Sequence, residues 1–154
     1  MSIVQHPIKS KLRQACLEKI DQQVATITSV LDSIVTARNE ETKSSAGDKY
    51  ETSRAMLQIE EDKNKQQLAR ALVEHRKLLS IDSAVTAGPI RLGSLVTSSQ
   101  GIYYIAVGVG KLLLDGVQYY CISPQSPIGM VIIGKRVSDQ VNFNDQVITI
   151  LQVE

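Results

Sequence analysis

The chain has 154 residues, a formal net charge of +1, 43% hydrophobic and 21% charged residues. That length admits one ordinary domain or two small ones, and the near-neutral charge argues against a protein that binds polyanions over its whole surface. Aromatic residues make up 4%, with no tryptophan and one phenylalanine, which disfavours a base-stacking surface for single-stranded nucleic acid.

The first residues, MSIVQHPIKSKLRQ, lack an apolar core of signal-peptide length. No apolar run approaches the ~18 residues of a membrane span, so a soluble, cytoplasmic chain with no membrane contact is expected. From Pro7 to about residue 80 the composition is rich in Gln, Glu, Lys, Arg, Ala and Leu, and Gly47 is the only glycine there. A first helix should begin near Pro7, since proline is tolerated in a first helical turn. Ile8, Leu12, Cys16, Ile20, Val24, Ile27, Leu31 and Ile34 recur at steps of three and four, a single apolar stripe. About 32 helical residues span roughly 48 Å, and a lone stripe of that length needs a partner.

A second helix, from about 48 to 79, supplies one, with Tyr50, Leu57, Leu68, Leu72 and Leu79 as its apolar positions. Its middle, 58–67 (QIEEDKNKQQ), is almost wholly polar. That fits a thin two-helix coiled-coil hairpin with most of its surface in solvent. Glu61–Lys65 stands at i,i+4 in the favoured order and should add a few tenths of a kcal/mol. The hairpin is read as 1–82, with its tip at about 40–48. Arg38, Lys43, Lys49 and Arg54 surround that tip.

The segment 82–89 (DSAVTAGP) reads as a linker. Beyond it the pattern changes to short strands at 94–97, 102–109, 111–114, 118–122 and 146–153, with Asp115-Gly116 as a hairpin turn. In 126–133 (SPIGMVII), Ser126 is the expected N-cap, Pro127 the first helical position and Gly134 the stop. An antiparallel sheet with one short helix, after a helical hairpin, is an α+β arrangement. The second domain is read as 83–154.

The usual catalytic signatures have plainer readings. Cys16 and Cys121 each sit in an apolar pattern with no neighbouring thiol, which fits buried, reduced cysteines. His6 and His75 lack metal-ligand spacing and read as surface residues. Ser126 has no G-x-S-x-G elbow around it. Gly108-Val109-Gly110 lacks the rest of a nucleotide fingerprint. No catalytic residue of the chain's own is expected, and no cofactor or stably bound metal.

The stretch 122–153 (ISPQSPIGMVIIGKRVSDQVNFNDQVITILQV) resembles the C-terminal domain of the GreA/GreB family of bacterial transcript cleavage factors. The shared features are Ser126-Pro127 opening a helix, Gly134-Lys135 after it, and a closing strand; Ser138-Asp139 stands where the family has Gly-Asp. Upstream, 92–96 (LGSLV) looks like the family's first strand of that domain, and a hairpin of this length completes the architecture.

The resemblance implies an FKBP-like fold for the second domain, docked on RNA polymerase near its secondary channel, with the hairpin inserted. The family's docking surface would map to Ser126, Pro127, Ile128, Gly129 and Lys135. Tip carboxylates would help hold a Mg²⁺ ion in the polymerase active site, and the polymerase would cut its own backtracked RNA 3′ end. Hard Mg²⁺ prefers oxygen ligands, so one or two added carboxylates raise its occupancy. The candidate acids are Glu40, Glu41, Asp48 and Glu51; Lys43 and Lys49 are the basic contacts. Aligned on Tyr50, Asp48 falls near the family's acidic cluster, while Ala46 and Gly47 stand where Glu and Asn are usual. Asp48 and Glu51 also have the D-x-x-E spacing of a capping box, so two roles are open to them.

Three functions are therefore weighed: a monomeric accessory factor that stimulates the polymerase's own cleavage; a polymerase-binding regulator or inhibitor without cleavage; and a peptidyl-prolyl isomerase, suggested by the implied FKBP-like fold alone.

Overall fold

The computed structural model describes residues 6–43, 47–84 and 87–154, with side chains for all of these except 41–50. They fall into two compact units. One is Ile20–His75, and the other joins the described residues up to Lys19 to Arg76–Glu154. Helix α1 runs Pro7–Lys43 and α2 runs Gly47–Ser80, so both helices contribute to both units.

In the helical unit, Ile20, Ile27 and Ile34 of α1 are buried, with Val24 and Leu31 half-buried between them. That is the expected stripe. Antiparallel pairing follows from two contacts: Arg38 pairs with Glu61, and Asp21 pairs with His75 at 3.4 Å. The α2 stripe holds at Leu57 and Leu68, which are half-buried together with Asn64, and shifts by one residue beyond them. Ala71 is buried while Leu72 is exposed. Close approach of two helices favours the small side chain at the seam. The polar middle of α2 also enters that seam. Glu61 is buried because Arg38 hydrogen-bonds its carboxylate and Lys65 reaches it at 2.9 Å from the next turn. Arg38, expected as a cation of the tip, is therefore engaged within the helix pair.

The second unit holds six strands: β1 Leu95–Ser98, β2 Gly101–Ile105, β3 Gly110–Leu114, β4 Val117–Ile122, β5 Gln140–Phe143 and β6 Gln146–Val153. Their order is β3-β4-β2-β1-β6-β5. The sheet is mixed rather than wholly antiparallel, because β2 and β4 pair in parallel. The Asp115-Gly116 turn makes β4 antiparallel to β3. Since β4 then inserts between β3 and β2, it must run alongside β2. This also ends β2 at Ile105 rather than near Val109: residues 106–109 carry the chain past β4 to the sheet edge. Strand β5 was not anticipated. It pairs with β6 through a tight turn at Asn144 and Asp145, with φ of 50° and 62°, the left-handed pair that a two-residue hairpin needs.

Register divides the sheet into two faces. Val96, Tyr103, Ile105, Ile148, Ile150 and Val153 form a core with Ile90, Ile132 and Val141, closed by α3 (Pro127–Ile132). Leu95, Tyr104, Leu112, Tyr119 and Cys121 point the other way, as their direct pairings require. Against that face lies the start of α1, where Leu12 and Cys16 are fully buried. Ile8 is exposed and Lys9 takes the inward position instead, its ammonium donating to the Ala84 carbonyl at 3.0 Å. On α2, Leu78 is fully buried and Leu79 is exposed. His6 is not a surface residue. It is buried, its Nδ1 accepts from the Lys9 backbone N–H, and its Nε2 lies 3.5 Å from Glu154. His75 is half-exposed. Among the described residues, no helix is long and apolar enough to cross a membrane.

Candidate functional site

Two places gather the residues expected to act. The first is the end of the helical unit where the chain turns. Glu40, in the last turn of α1, and Glu51, in α2, are both exposed. The side chains of Glu41, Lys43, Asp48 and Lys49 lie outside the described residues; Asp48 falls in the first turn of α2. Glu40 sits at a helix C-terminus, where its charge opposes the helix dipole, so helix stability does not account for it. Arg54 is exposed. Below these groups, Ala37, Ser53, Met56, Leu57 and Glu60 line a shallow depression of about 270 Å³ between the helices. Among the described residues, no three His, Cys, Asp or Glu side chains come together as a metal-holding group. Exposed carboxylates of this kind suit a supplementary oxygen donor to an ion held elsewhere.

Glu61 differs from these acids. The hydrogen bond from Lys65 holds its carboxyl below the usual carboxylate range, against the effect of burial, with further help from Arg38. It is a structural anion of the helix pair.

The second place is the sheet face beside α3. Ser126 caps that helix: its Oγ accepts from the Gly129 backbone N–H at 3.1 Å and donates to the Ser123 carbonyl at 2.6 Å. Pro127 follows as the first helical residue and is exposed. Gly129 is buried for a steric reason. A Cβ there would stand 2.2 Å from the Ser123 carbonyl oxygen, so only glycine lets the turn fold onto the helix. Gly134 ends the segment with φ of 80° and donates to the Ile90 carbonyl at 2.8 Å. Lys135 next to it is exposed, while its own carbonyl accepts from the Ile90 N–H.

Ile128 faces a cavity of about 350 Å³. Tyr103, Tyr120, Ile122, Phe143 and Ile148 supply its other apolar walls, and Gln100, Asn144 and Gln146 its polar rim. The two tyrosine rings stand 5.8 Å apart at 39°, within the range of favourable aromatic pairs. Gln118 donates to the Tyr120 hydroxyl at 2.7 Å. Burial pushes the Tyr103 phenol above its ordinary value, although Ser98 partly opposes this. The walls carry no carboxylate, histidine or thiol. Their chemistry is that of a receptor for an apolar side chain, oriented by amide hydrogen bonds at the rim.

Of the five expected docking residues, only Ile128 lines the cavity. Ser126 and Gly129 build the helix that presents it, and Pro127 and Lys135 are exposed without lining the cavity. The cavity itself went unforeseen, because its walls come from β2, β4, α3, β5, β6 and the turns that precede β2 and β6. Tyr103 and Tyr120 within strand-like runs are the one trace of it in the sequence.

No protein-family model matches the chain, and no curated protein matches it. One solved structure that does match is described as the structure of the transcription factor Gfh1. It is 19% identical, over 89% of this chain and 92% of that chain, with a TM-score of 0.34. The likeness is distant.

Proposed function

We propose that the chain is a Gre-like transcription factor that binds RNA polymerase through the α3 face, inserts its helix pair into the secondary channel, and promotes cleavage of backtracked RNA. The observation that carries this reading is the helix pair itself. Helices of 37 and 34 residues pair antiparallel, and Glu40 near the end of the first and Glu51 near the start of the second are exposed. A thin helical rod with carboxylates near its end suits delivery of oxygen ligands to a recessed site, which a globular domain cannot enter. The resemblance in 122–153 supports the choice of polymerase, and the apolar cavity beside Ile128 offers a seat for a side chain on its surface.

In this reading the chain supplies no complete active site. A Mg²⁺ ion held by the polymerase would supply the activation of water and the charge offset at the phosphodiester. Glu40 and Glu51 contribute carboxylate oxygens and orientation, and Arg54 offers a cation to the RNA 3′ end.

Backtracked elongation complexes made with purified polymerase and Mg²⁺ provide the test. The expected outcome is RNA cleavage several-fold faster with the protein than without. Binding that leaves the RNA intact would instead establish a regulator or inhibitor. Absence of association would overturn both.

A second reading draws on the cavity. Tyr103, Tyr120 and Phe143 give it an aromatic lining suited to a proline ring, which favours peptidyl-prolyl isomerase activity. Acceleration of cis–trans exchange in a short proline peptide would support it; an unchanged exchange rate would dismiss it.

A further inference from the structure

The fold brings together two cysteines that lie far apart in the chain, on the sheet face opposite the cavity. Cys121 of β4 stands between Tyr104 of β2 and Gly110 of β3 in the pairing register. One helical turn after Cys16, Lys19 of α1 donates to the Lys111 carbonyl at 3.2 Å, which lays this part of α1 across the β3–β4 ladder at Cys121. Both cysteines are reduced and buried, at 0% and 1% exposure. The two thiols lie close enough to perturb each other's ionisation, and both perturb that of the Tyr104 phenol. The Tyr104 hydroxyl is buried and makes no hydrogen bond.

We propose that Cys16 and Cys121 are the two halves of a reversible disulfide that forms on exposure to a peroxide and staples α1 to β4. Cys16 acts first. Its thiolate displaces hydroxide from hydrogen peroxide: an S–O bond forms, the O–O bond breaks, and Cys16 becomes a sulfenic acid. The hydroxide leaves as water with the proton Cys16 gave up. The Cys121 sulfur then attacks the Cys16 sulfur. The S–S bond forms, the S–O bond breaks, and the hydroxyl leaves as a second water with the proton from Cys121. Two electrons have passed from the sulfur pair to the peroxide, and a dithiol reverses the reaction.

The order of attack follows from the surroundings. The neighbouring Cys121 thiol favours the Cys16 thiolate, burial opposes it, and Lys19 adds a favourable charge. Proximity to Cys16, together with burial, holds the Cys121 thiol above its ordinary value. Tyr104 offers the departing hydroxyl of the second step a hydrogen-bond donor inside the fold. Because the partner thiol is a near neighbour, a sulfenic acid at Cys16 is captured before further oxidation. Burial restricts the reaction to small oxidants.

The full chain is incubated under native conditions with hydrogen peroxide, quenched, unfolded in a thiol-alkylating reagent, and digested without reduction. The expected result is one cross-linked peptide pair containing Cys16 and Cys121, lighter by two hydrogens, with neither cysteine alkylated. Dithiothreitol should restore both alkylation sites. The oxidised chain should also melt about 5–10 °C above the reduced chain, since the bond closes a loop of over a hundred residues. Alkylation of both cysteines after peroxide treatment would overturn the proposal. So would addition of two oxygens at either sulfur, or a link between two chains in place of the internal one. Mass analysis and melting of the wild-type chain suffice, so a misfolded Cys16→Ser variant would not blur the outcome.

Discussion

Two buried ions set the pH behaviour expected of individual residues. Glu61 has a folded-state value below the ordinary 4.5 of a free carboxyl, chiefly because Lys65 donates to it. A depressed carboxyl contributes stability that is fully present above pH 4.5 and is lost as pH falls through its lower folded value. The helix pair should therefore loosen in acid, read by circular dichroism. Glu61→Gln should weaken it at neutral pH and flatten that acid dependence; an unchanged acid limb would show that Glu61 is not the anion responsible. Lys9 has the opposite sign. Burial lowers its value to about 8 from 10.5, outweighing Glu154 and Asp82, while Arg91 adds to the lowering. Between pH 8 and 10.5 the unfolded chain binds the extra proton, so this group's contribution to stability rises with pH. Lys9→Met should remove that rise, so wild type should gain about 1–3 kcal/mol of stability relative to the variant between pH 7.5 and 10.5. Denaturant unfolding at the two pH values measures it, and a constant difference would contradict the assignment. Neither burial was legible in the sequence. Glu61 lies in a polar run, and Lys9 sits beside the apolar Ile8, whose inward position it takes.

At the level of elements, α3 tests how tightly a short helix depends on its first turn. Ser126→Ala removes both the acceptor for the Gly129 N–H and the donor to the Ser123 carbonyl. A loss of about 1 kcal/mol is expected. Gly129→Ala should cost considerably more, because its Cβ would overlap the Ser123 carbonyl at 2.2 Å and backbone cannot yield cheaply. Equilibrium unfolding of the two variants ranks them; equal losses would mean the turn moves freely. The cap, the proline after it and Gly134 were all legible, since each is a local backbone requirement. Strand β5 (QVNF) was not read, although Asn144-Asp145 carries a turn signal. Four residues with one buried position, Val141, give too weak an alternation without the partner strand β6.

For the whole molecule, the proposed function separates binding from chemistry. Ile128→Glu places a charge in the cavity wall and should weaken polymerase binding at least about tenfold, with the helical content of the protein retained. Glu40→Gln combined with Glu51→Gln should leave binding intact and slow cleavage of backtracked RNA. Titration of polymerase with labelled protein, beside the cleavage assay, distinguishes the two. A double glutamine variant that cleaves at the wild-type rate would remove these acids from the mechanism. The cavity was legible only as scattered tyrosines, because its walls converge from parts of the chain between Gln100 and Ile148.

By itself the sequence determined the helix pair, the Asp115-Gly116 hairpin and the cap of α3. Each depends on periodicity or on backbone preference within a few residues, which the chain writes locally. Tertiary structure decided which side of α2 faces α1, the parallel pairing of β4 with β2, the aromatic cavity and the meeting of Cys16 with Cys121. Those depend on strand order and on packing between distant segments. A one-residue shift on α2 puts Ala71 in the seam and leaves Leu72 outside it, and that choice follows from how closely the helices approach rather than from hydrophobicity alone. Likewise, nothing in the spacing of two cysteines marks them as partners until β4 inserts beside β2 and α1 crosses the sheet above it.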